Sequence, residues 1–553
     1  MISSSFFSSI NSHYWAFSLS SRFKENFSME GQAHQNNSSV EASDQIEEDE
    51  DVINVVPYLD VPPSLPFGQT LGFSIGHVLN DLCSGVWFSY LLVYMTLVIK
   101  FSNENAGALL MIGQVADGIS TPIVGIYSQK IRFWKYGRKK SWHLLGSMCV
   151  IMSFPLIFNP CIFGGDVTVP YQMVYFSIFI IIFQFGWAAV QISHLSLIPD
   201  LTSSSNERIG LNSLRYSFTV ASSITVYMIT WLVLSFDDDS KSSREHSLHT
   251  NRNLGKSQIG PDDAPRFRIL VLSILSLGSV FSTLFHFIVS EPDHSCSENT
   301  DGSIQPLLSN NSQLAWKDWL TIPKFYNVGL LYTASRICLN ITQVYIPFYL
   351  HFTLGLDKTS VAYIPLILYI SGFFTSLITK KVDNVLGKKF MYACGALLSL
   401  GTFYFLPTDR TPFYSSYGIY IVVALLGASG SIILICSLGI TNDLIGNNIK
   451  SGAFVIGGMS FFDKVTNGLG VMLIQSIHPT DDATCQGHEE FYRNVLMYAC
   501  GSANIVSLFA LSCLVIKSKD KTKRCNSLER NETGNINREE THGDSDTDPL
   551  IDV

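Results

Sequence analysis

The chain reads as an all-α membrane protein of twelve transmembrane helices in two six-helix halves, with both termini in the cytosol. Composition, a series of apolar runs and an uneven spread of Lys and Arg carry that reading. Of 553 residues, 47% are hydrophobic and only 15% are charged, where a soluble domain carries about 25% charged residues. A hydrocarbon core of roughly 30 Å calls for about 20 mostly apolar residues in helical form. Such runs occupy 71–98, 105–128, 142–159, 171–197, 214–235 and 267–289, then 326–350, 360–379, 390–406, 415–438, 453–477 and 491–516. They read as helices because an open strand in lipid leaves its backbone groups without partners. Stretches such as FSIFIIIFQFGW also lack the two-residue alternation of a membrane barrel.

The remainder is polar. Residues 1–65 read as a disordered cytosolic segment, 66–289 as the first half, 290–325 as a cytosolic linker, 326–516 as the second half and 517–553 as a disordered cytosolic tail. The opening stretch has neither a basic leader nor a small-residue cleavage site, so it is not read as a signal peptide, and Met29 is an alternative start. The loop after the second run holds Lys130, Arg132, Lys135, Arg138, Lys139 and Lys140, and the loop after the eighth holds Lys380, Lys381, Lys388 and Lys389. The opposite short loops hold little beyond Lys100, Lys358 and Arg410. Lys and Arg collect on the cytosolic face, which sets the orientation. A net charge of −9 argues against a nucleic-acid partner. The 11 cysteines form no CxxC pair, so neither a disulfide scaffold nor a metal site is expected.

The halves echo each other. KIRFWKYGRKKSW follows the second run and KKVDNVLGKK the eighth, each placing Gly and a basic pair at the same point of a six-helix unit. Two parallel repeats with a mid-membrane site between them are a transporter architecture. Charges at a helix centre cost roughly 2.5–3.5 kcal/mol each, so they mark function by default. The first run carries His77, Asn80, Asp81 and Ser84 at i, i+3, i+4 and i+7, on one helix face. The second carries Gln114, Asp117 and Thr121, and the fourth Gln184, Trp187, Gln191 and His194. Arg215 opens the fifth; Arg336, Asn340 and Gln343 stripe the seventh; Asp463, Lys464 and Asn467 lie in the eleventh. Three acids (Asp81, Asp117, Asp463) balance three bases (Arg215, Arg336, Lys464), which points to a hydrated cavity lined by partners. Asp463 and Lys464 are adjacent, so they point about 100° apart and should face different neighbours. Ion pairs that merely hold helices together are the competing reading, and His194, near a helix end, reads as a hydrogen-bonding residue. No GxSxG or metal-ligand spacing supports a membrane enzyme.

ADGISTPIVGIYS with YGRKKSWHLLG, LIPDLTSSSNERIGLNSLRYSF, and SLGITNDLIGNNIKSGAFVIGGMSFFDKVTNGLG resemble segments of the glycoside–pentoside–hexuronide:cation symporters, a branch of the major facilitator superfamily. The resemblance spans about 71–516. It implies that Asp81 is the first-helix carboxylate that contacts substrate, that Arg215 and Lys464 belong to the substrate region, and that Asp117 is the first carboxylate of the cation site. Thr121 stands where that site has its second carboxylate, which weakens a Na⁺ site and favours a proton as coupling ion. The substrate set is thus Asp81, His77, Gln191, Arg215, Lys464, Arg336 and Asn340, and the coupling set Asp117, Thr121 and Asp463. Asp81 with Arg215 or Lys464 would hold the two charges of an amino acid. GHVLNDLCSGVWF, IFQFGWAAVQISHLSLIPDL and QSIHP resemble a lysosomal and melanosomal branch that supports cysteine import. That implies cysteine or a related amino acid as substrate, with a sugar or lysolipid as the alternative and a non-transporting scaffold as the rival class.

Alternating access is the expected mechanism, around a cavity built by helices 1, 2, 4, 5, 7, 10 and 11. Gly137, Arg138, Lys139 and Lys140 are expected to latch the cytosolic side against acids such as Asp443. In the tail, Asp546 with Leu550 and Ile551 resembles an acidic dileucine signal for adaptor proteins. Lipid, a small solute and those adaptors are the expected partners, the protein a monomer without a resident cofactor.

Overall fold

The computed structural model describes residues 65–131, 136–164, 167–202, 204–235, 258–292, 317–406, 414–446, 449–479 and 485–516. Asp546, Leu550 and Ile551, nearly all of 1–65 and most of the 290–325 linker lie outside the described residues. The long helices are α1 (Phe67–Ile75 and Val78–Val93, continued by a π-turn Tyr94–Val98), α2 (Asn103–Lys130), α3 (Arg138–Ile157), α4 (Val169–Ser196), α5 (Ser205–Ser235) and α6 (Ala264–Ile288). They continue with α7 (Pro323–Phe348), α8 (Ser360–Leu386), α9 (Lys388–Tyr404), α10 (Ile419–Ile445) and α11 (Ile449–Ser476), and α12 runs over Glu490–Ile516. No strand occurs among the described residues.

Eight of these stretches are long and apolar enough to cross a membrane; α3, α7, α9 and α11 fall short. Two of the four, α3 and α9, open on basic pairs, and α7 and α11 carry Arg336, Asp463 and Lys464 in their middles. Several helices outrun their apolar windows: α5 begins at Ser205, α8 runs to Leu386 and α10 to Ile445. Turns that project beyond the hydrocarbon have no apolar signature to read.

The same contacts recur six helices apart. In the first half α4 packs on α2 and α3, and α1 on α5 and α6; in the second, α10 packs on α8 and α9, and α7 on α11 and α12. Across the halves α2 meets α11, α5 meets α8, and α1 meets α7. The repeat reaches the backbone. Gly137 before α3 and Gly387 before α9 adopt φ of 117° and 82°, a region open to glycine at no steric cost. The basic corners that they form mark one end of the bundle.

The apolar core is divided unequally between the ends. One cluster joins both halves, running from Tyr90, Tyr94 and Phe101 to Tyr345, Leu350 and Tyr492. Toward the basic corners the clusters belong to one half each: Phe73, Leu197 and Phe285 in the first, Trp319, Phe325 and Ile440 in the second. Polar contacts also bind the halves at the far end. Tyr90 Oη donates to Val361 O (3.3 Å), Asn103 Nδ2 lies 3.0 Å from His478 Nδ1, and buried Asp263 and Lys358 approach to 3.9 Å. Among the described residues, the apolar core is thus shared between the halves at the far end and divided between them at the basic end.

In the first half, α3 and α4 approach closely enough to bring backbone against backbone. A Cβ at Gly146 would come within 2.7 Å of the Gly186 carbonyl. Gly146→Val is expected to lower stability by about 1–3 kcal/mol through overpacking. Thermal unfolding of the detergent-solubilised protein would report this, with Gly210→Val, where nothing stands within 4 Å, leaving the midpoint nearly unchanged.

Candidate functional site

The site begins at a defect. Helix α1 is interrupted at Gly76 and His77, which frees backbone carbonyls inside the bundle. Two histidines satisfy them: His194 Nε2 donates to Phe73 O (2.7 Å) and His143 Nε2 to Gly76 O (3.1 Å). Broken membrane helices persist only where such partners are supplied. One turn past the break, His77 Nδ1 lies 2.9 Å from Asp81 Oδ1, and Thr219 of α5 donates to Asp81 Oδ2 at 3.0 Å. Arg215 lies within electrostatic reach of both Asp81 and His77. Asp81 is 7% exposed, a charge held by hydrogen bonds rather than by bulk water.

Between the halves lies a cavity of about 340 Å³ whose wall includes Thr219, Arg336, Asn340, Gln343, Tyr369 and Ser431. It is lined from α1, α5, α7, α8, α9 and α10, which corrects the expected set: α8 and α9 contribute, whereas α2, α4 and α11 do not reach the wall. The reason is that α2 and α11 press directly on each other. Lys464 Nζ of α11 bridges to Asp117 Oδ1 (2.7 Å) and donates to Thr121 Oγ1 (3.0 Å) of α2. Asp463 turns the other way, accepting from Arg336 Nε (3.0 Å) and Asn467 Nδ2 (2.5 Å). The adjacent acid and base thus face different partners, as their angular separation requires.

These placements sort the expected residues. Arg336 and Asn340 line the cavity, while His77, Asp81 and Arg215 cluster behind Thr219. Lys464, expected in the substrate region, pairs with Asp117 at the α2–α11 contact and does not line the cavity. Gln191 does not line the cavity and instead accepts from Trp187 Nε1, one turn away on α4, at 3.2 Å. Asp117, Thr121 and Lys464 form one unit across the halves; Asp463 belongs with Arg336.

A family model described as MFS/sugar transport protein matches residues 72–477. The chain belongs to that family of the major facilitator superfamily. Over 82% of its length it is 42% identical to major facilitator superfamily domain-containing protein 12 of Mus musculus and 40% identical to that of Homo sapiens, covering 94% of each. Among solved structures it resembles a D-xylose–proton symporter at a TM-score of 0.57 and 14% identity, over 80% of this chain and 97% of that one. The chain is a multi-pass secondary transporter of the major facilitator fold, and its site handles a solute rather than a reaction.

Against that identity, the expected gate is corrected. Lys139 pairs with Asp200 (2.6 Å), Lys140 Nζ donates to Val289 O (2.6 Å), and Glu291 accepts from the backbone N–H groups of Arg138, Lys139 and Lys140 (3.2, 3.1 and 3.0 Å). All of these partners lie in the first half. Asp443 pairs with Lys388 (2.7 Å) inside the second half. Among the described residues, these contacts tie the corner around Gly137 to its own half. It braces its own half, as Lys388 and Asp443 brace theirs. Glu291, Thr219 and the role of His143 escaped the sequence reading. Each sits in an unremarkable local pattern and acquires its partner only through tertiary packing.

Removing one member of the Arg336–Asp463 pair leaves a charge without its counter-ion. Asp463→Ala is expected to cost about 1.5–3 kcal/mol, the range for a hydrogen bond to a charged group, because Arg336 is 29% exposed at the cavity wall. The double variant Asp463→Ala/Arg336→Met should recover much of that loss in a double-mutant cycle read by thermal unfolding.

Proposed function

We propose that this transporter carries cysteine or a related amino acid from the cytosol into a lysosome-related organelle by proton-coupled alternating access. The observation that carries the reading is Arg336. Its guanidinium is fixed by Asp463 and presented at the wall of a small cavity between the halves. A guanidinium suits a carboxylate in geometry and charge. The ammonium of the same solute would lie toward Thr219, behind which Asp81 supplies negative charge. The Lys and Arg bias supports a cytosolic basic end, and the divided apolar core there supports a conformation that loads from that side. The acidic tail motif at Asp546, Leu550 and Ile551 fits delivery by adaptors to the organelle.

Coupling is assigned to Asp117, Thr121 and Lys464. A single carboxylate at the α2–α11 contact, with threonine where a sodium site would want a second acid, suits a proton better than Na⁺. With an acidic lumen, protons run downhill toward the cytosol. A proton returning on the empty carrier therefore drives cysteine inward, and two pH units supply about 2.7 kcal/mol per proton.

The test is uptake of labelled cysteine into proteoliposomes under an imposed pH gradient. Asp117→Asn keeps the shape of the side chain and removes its charge; it should abolish the pH-dependent component. Unchanged uptake would take Asp117 out of the mechanism. The cavity is also rich in hydroxyl and carboxamide groups, which favours a sugar as the second reading. Competition by melibiose or by lysophosphatidylcholine, rather than by other amino acids, would move the assignment to those substrates.

A further inference from the structure

Two residues from each half are tied together at the end of the cavity that points away from the basic corners. Ser89 of α1 and Tyr227 of α5 are each 1% exposed, and their hydroxyls lie 2.6 Å apart. From the other half, Gln343 Nε2 of α7 donates to Ser89 Oγ at 3.2 Å. Tyr369 of α8 sets its ring 5.1 Å from that of Tyr227. Its hydroxyl and the Gln343 amide are both within hydrogen-bonding reach of the Tyr227 hydroxyl. Tyr227, Gln343 and Tyr369 line the cavity, whereas buried Ser89 does not reach the wall. Along α5 this knot lies about two turns beyond Thr219, and along α7 about one turn beyond Asn340. Both displacements run toward the apolar cluster shared by the halves, which holds Tyr90 and Tyr345. Past the knot, Tyr90 Oη makes the next bond between halves, to Val361 O.

We propose that Ser89, Tyr227, Gln343 and Tyr369 form a seal that the solute itself opens, so that the carrier passes from cytosolic to far-side access only when loaded. The inference rests on the proton-coupled alternating access above and deepens it. Far-side opening draws α7 away from α1 and α8 away from α5, so these polar groups lose one another in an apolar setting. A buried donor or acceptor left alone costs more than its hydrogen bond contributes net. Ser89 and Tyr227 are buried, with the Tyr90 ring 6.0 Å from that of Tyr227, so water is kept from them and their bonds hold while the cavity is empty. Gln343 and Tyr369 are half-buried at the wall, where a solute's carboxylate, hydroxyl or amine can take over their hydrogen bonds. Arg336, Asn340 and Gln343 share one face of α7 at i, i+4 and i+7. The groups that hold the solute and the group that holds the seal thus stand in one row. Once the proton has left for the cytosol, the empty carrier cannot slip back, which makes the solute obligatory for the next step.

Ser89→Ala removes the central hydroxyl without altering the cavity wall, and Tyr227→Phe removes a hydroxyl while keeping the ring and its packing. In solute-free protein held in nanodiscs, amide hydrogen exchange of the far-end segments 94–101 and 354–364 should run about tenfold faster in either variant than in wild type. Segment 69–76, at the basic end of α1, should stay within about twofold. In proteoliposomes with trapped pyranine, each variant should let protons run down an imposed gradient without solute. Scaled to its own cysteine–cysteine exchange, that slip should exceed the wild-type value by about tenfold. Far-end exchange within about twofold of wild type in both variants overturns the seal, as does equal acceleration of segment 69–76, which would mean general loosening. Faster far-end exchange without proton slip leaves the seal standing and removes proton coupling from the functional reading.

Discussion

A charge surrounded by hydrocarbon must find its opposite, and most of this molecule's interior architecture follows from that constraint. Asp117 with Lys464, Asp463 with Arg336, and Asp81 with His77 and Arg215 are three solutions to it. Each ties together helices that the chain order keeps apart: α2 to α11, α7 to α11, and α1 to α5. The first of these crosses between halves, so the electrostatic bookkeeping of the bilayer and the conformational coupling of the halves are one arrangement.

The fold was largely readable because the bilayer writes it into composition. Apolar runs placed the helices, and the GRKK and GKK loops announced the repeat that Gly137 and Gly387 embody in their backbone angles. The site was readable only as a set of residue types. That Asp463 and Lys464 face apart followed from helical geometry alone. That Lys464 meets Asp117 did not, since it depends on which helices touch across the halves. Glu291 shows the limit most clearly: one acid just past α6 gathers three backbone N–H groups at the start of α3, and nothing in its neighbours foretells the fold-back.

The basic corners illustrate how a correct motif can suggest the wrong partner. Lys139 and Lys388 occupy equivalent places in the two repeats, as do Asp200 and Asp443. Lys139 with Asp200 and Lys388 with Asp443 are the same bridge built twice. Each half thereby keeps its α3–α4 or α9–α10 corner rigid without help from the other, as a rocking mechanism requires of its moving parts.

The unequal division of the apolar core carries a thermodynamic signature. Closing the far end buries aromatic surface shared by both halves, whereas the basic end offers mainly Lys, Asp and backbone groups for closure. On the proposed alternating-access mechanism, the state sealed at the far end would have the lower heat capacity. Cooling weakens apolar association near room temperature, so on that mechanism the balance between the states would shift toward opening at the far end in the cold.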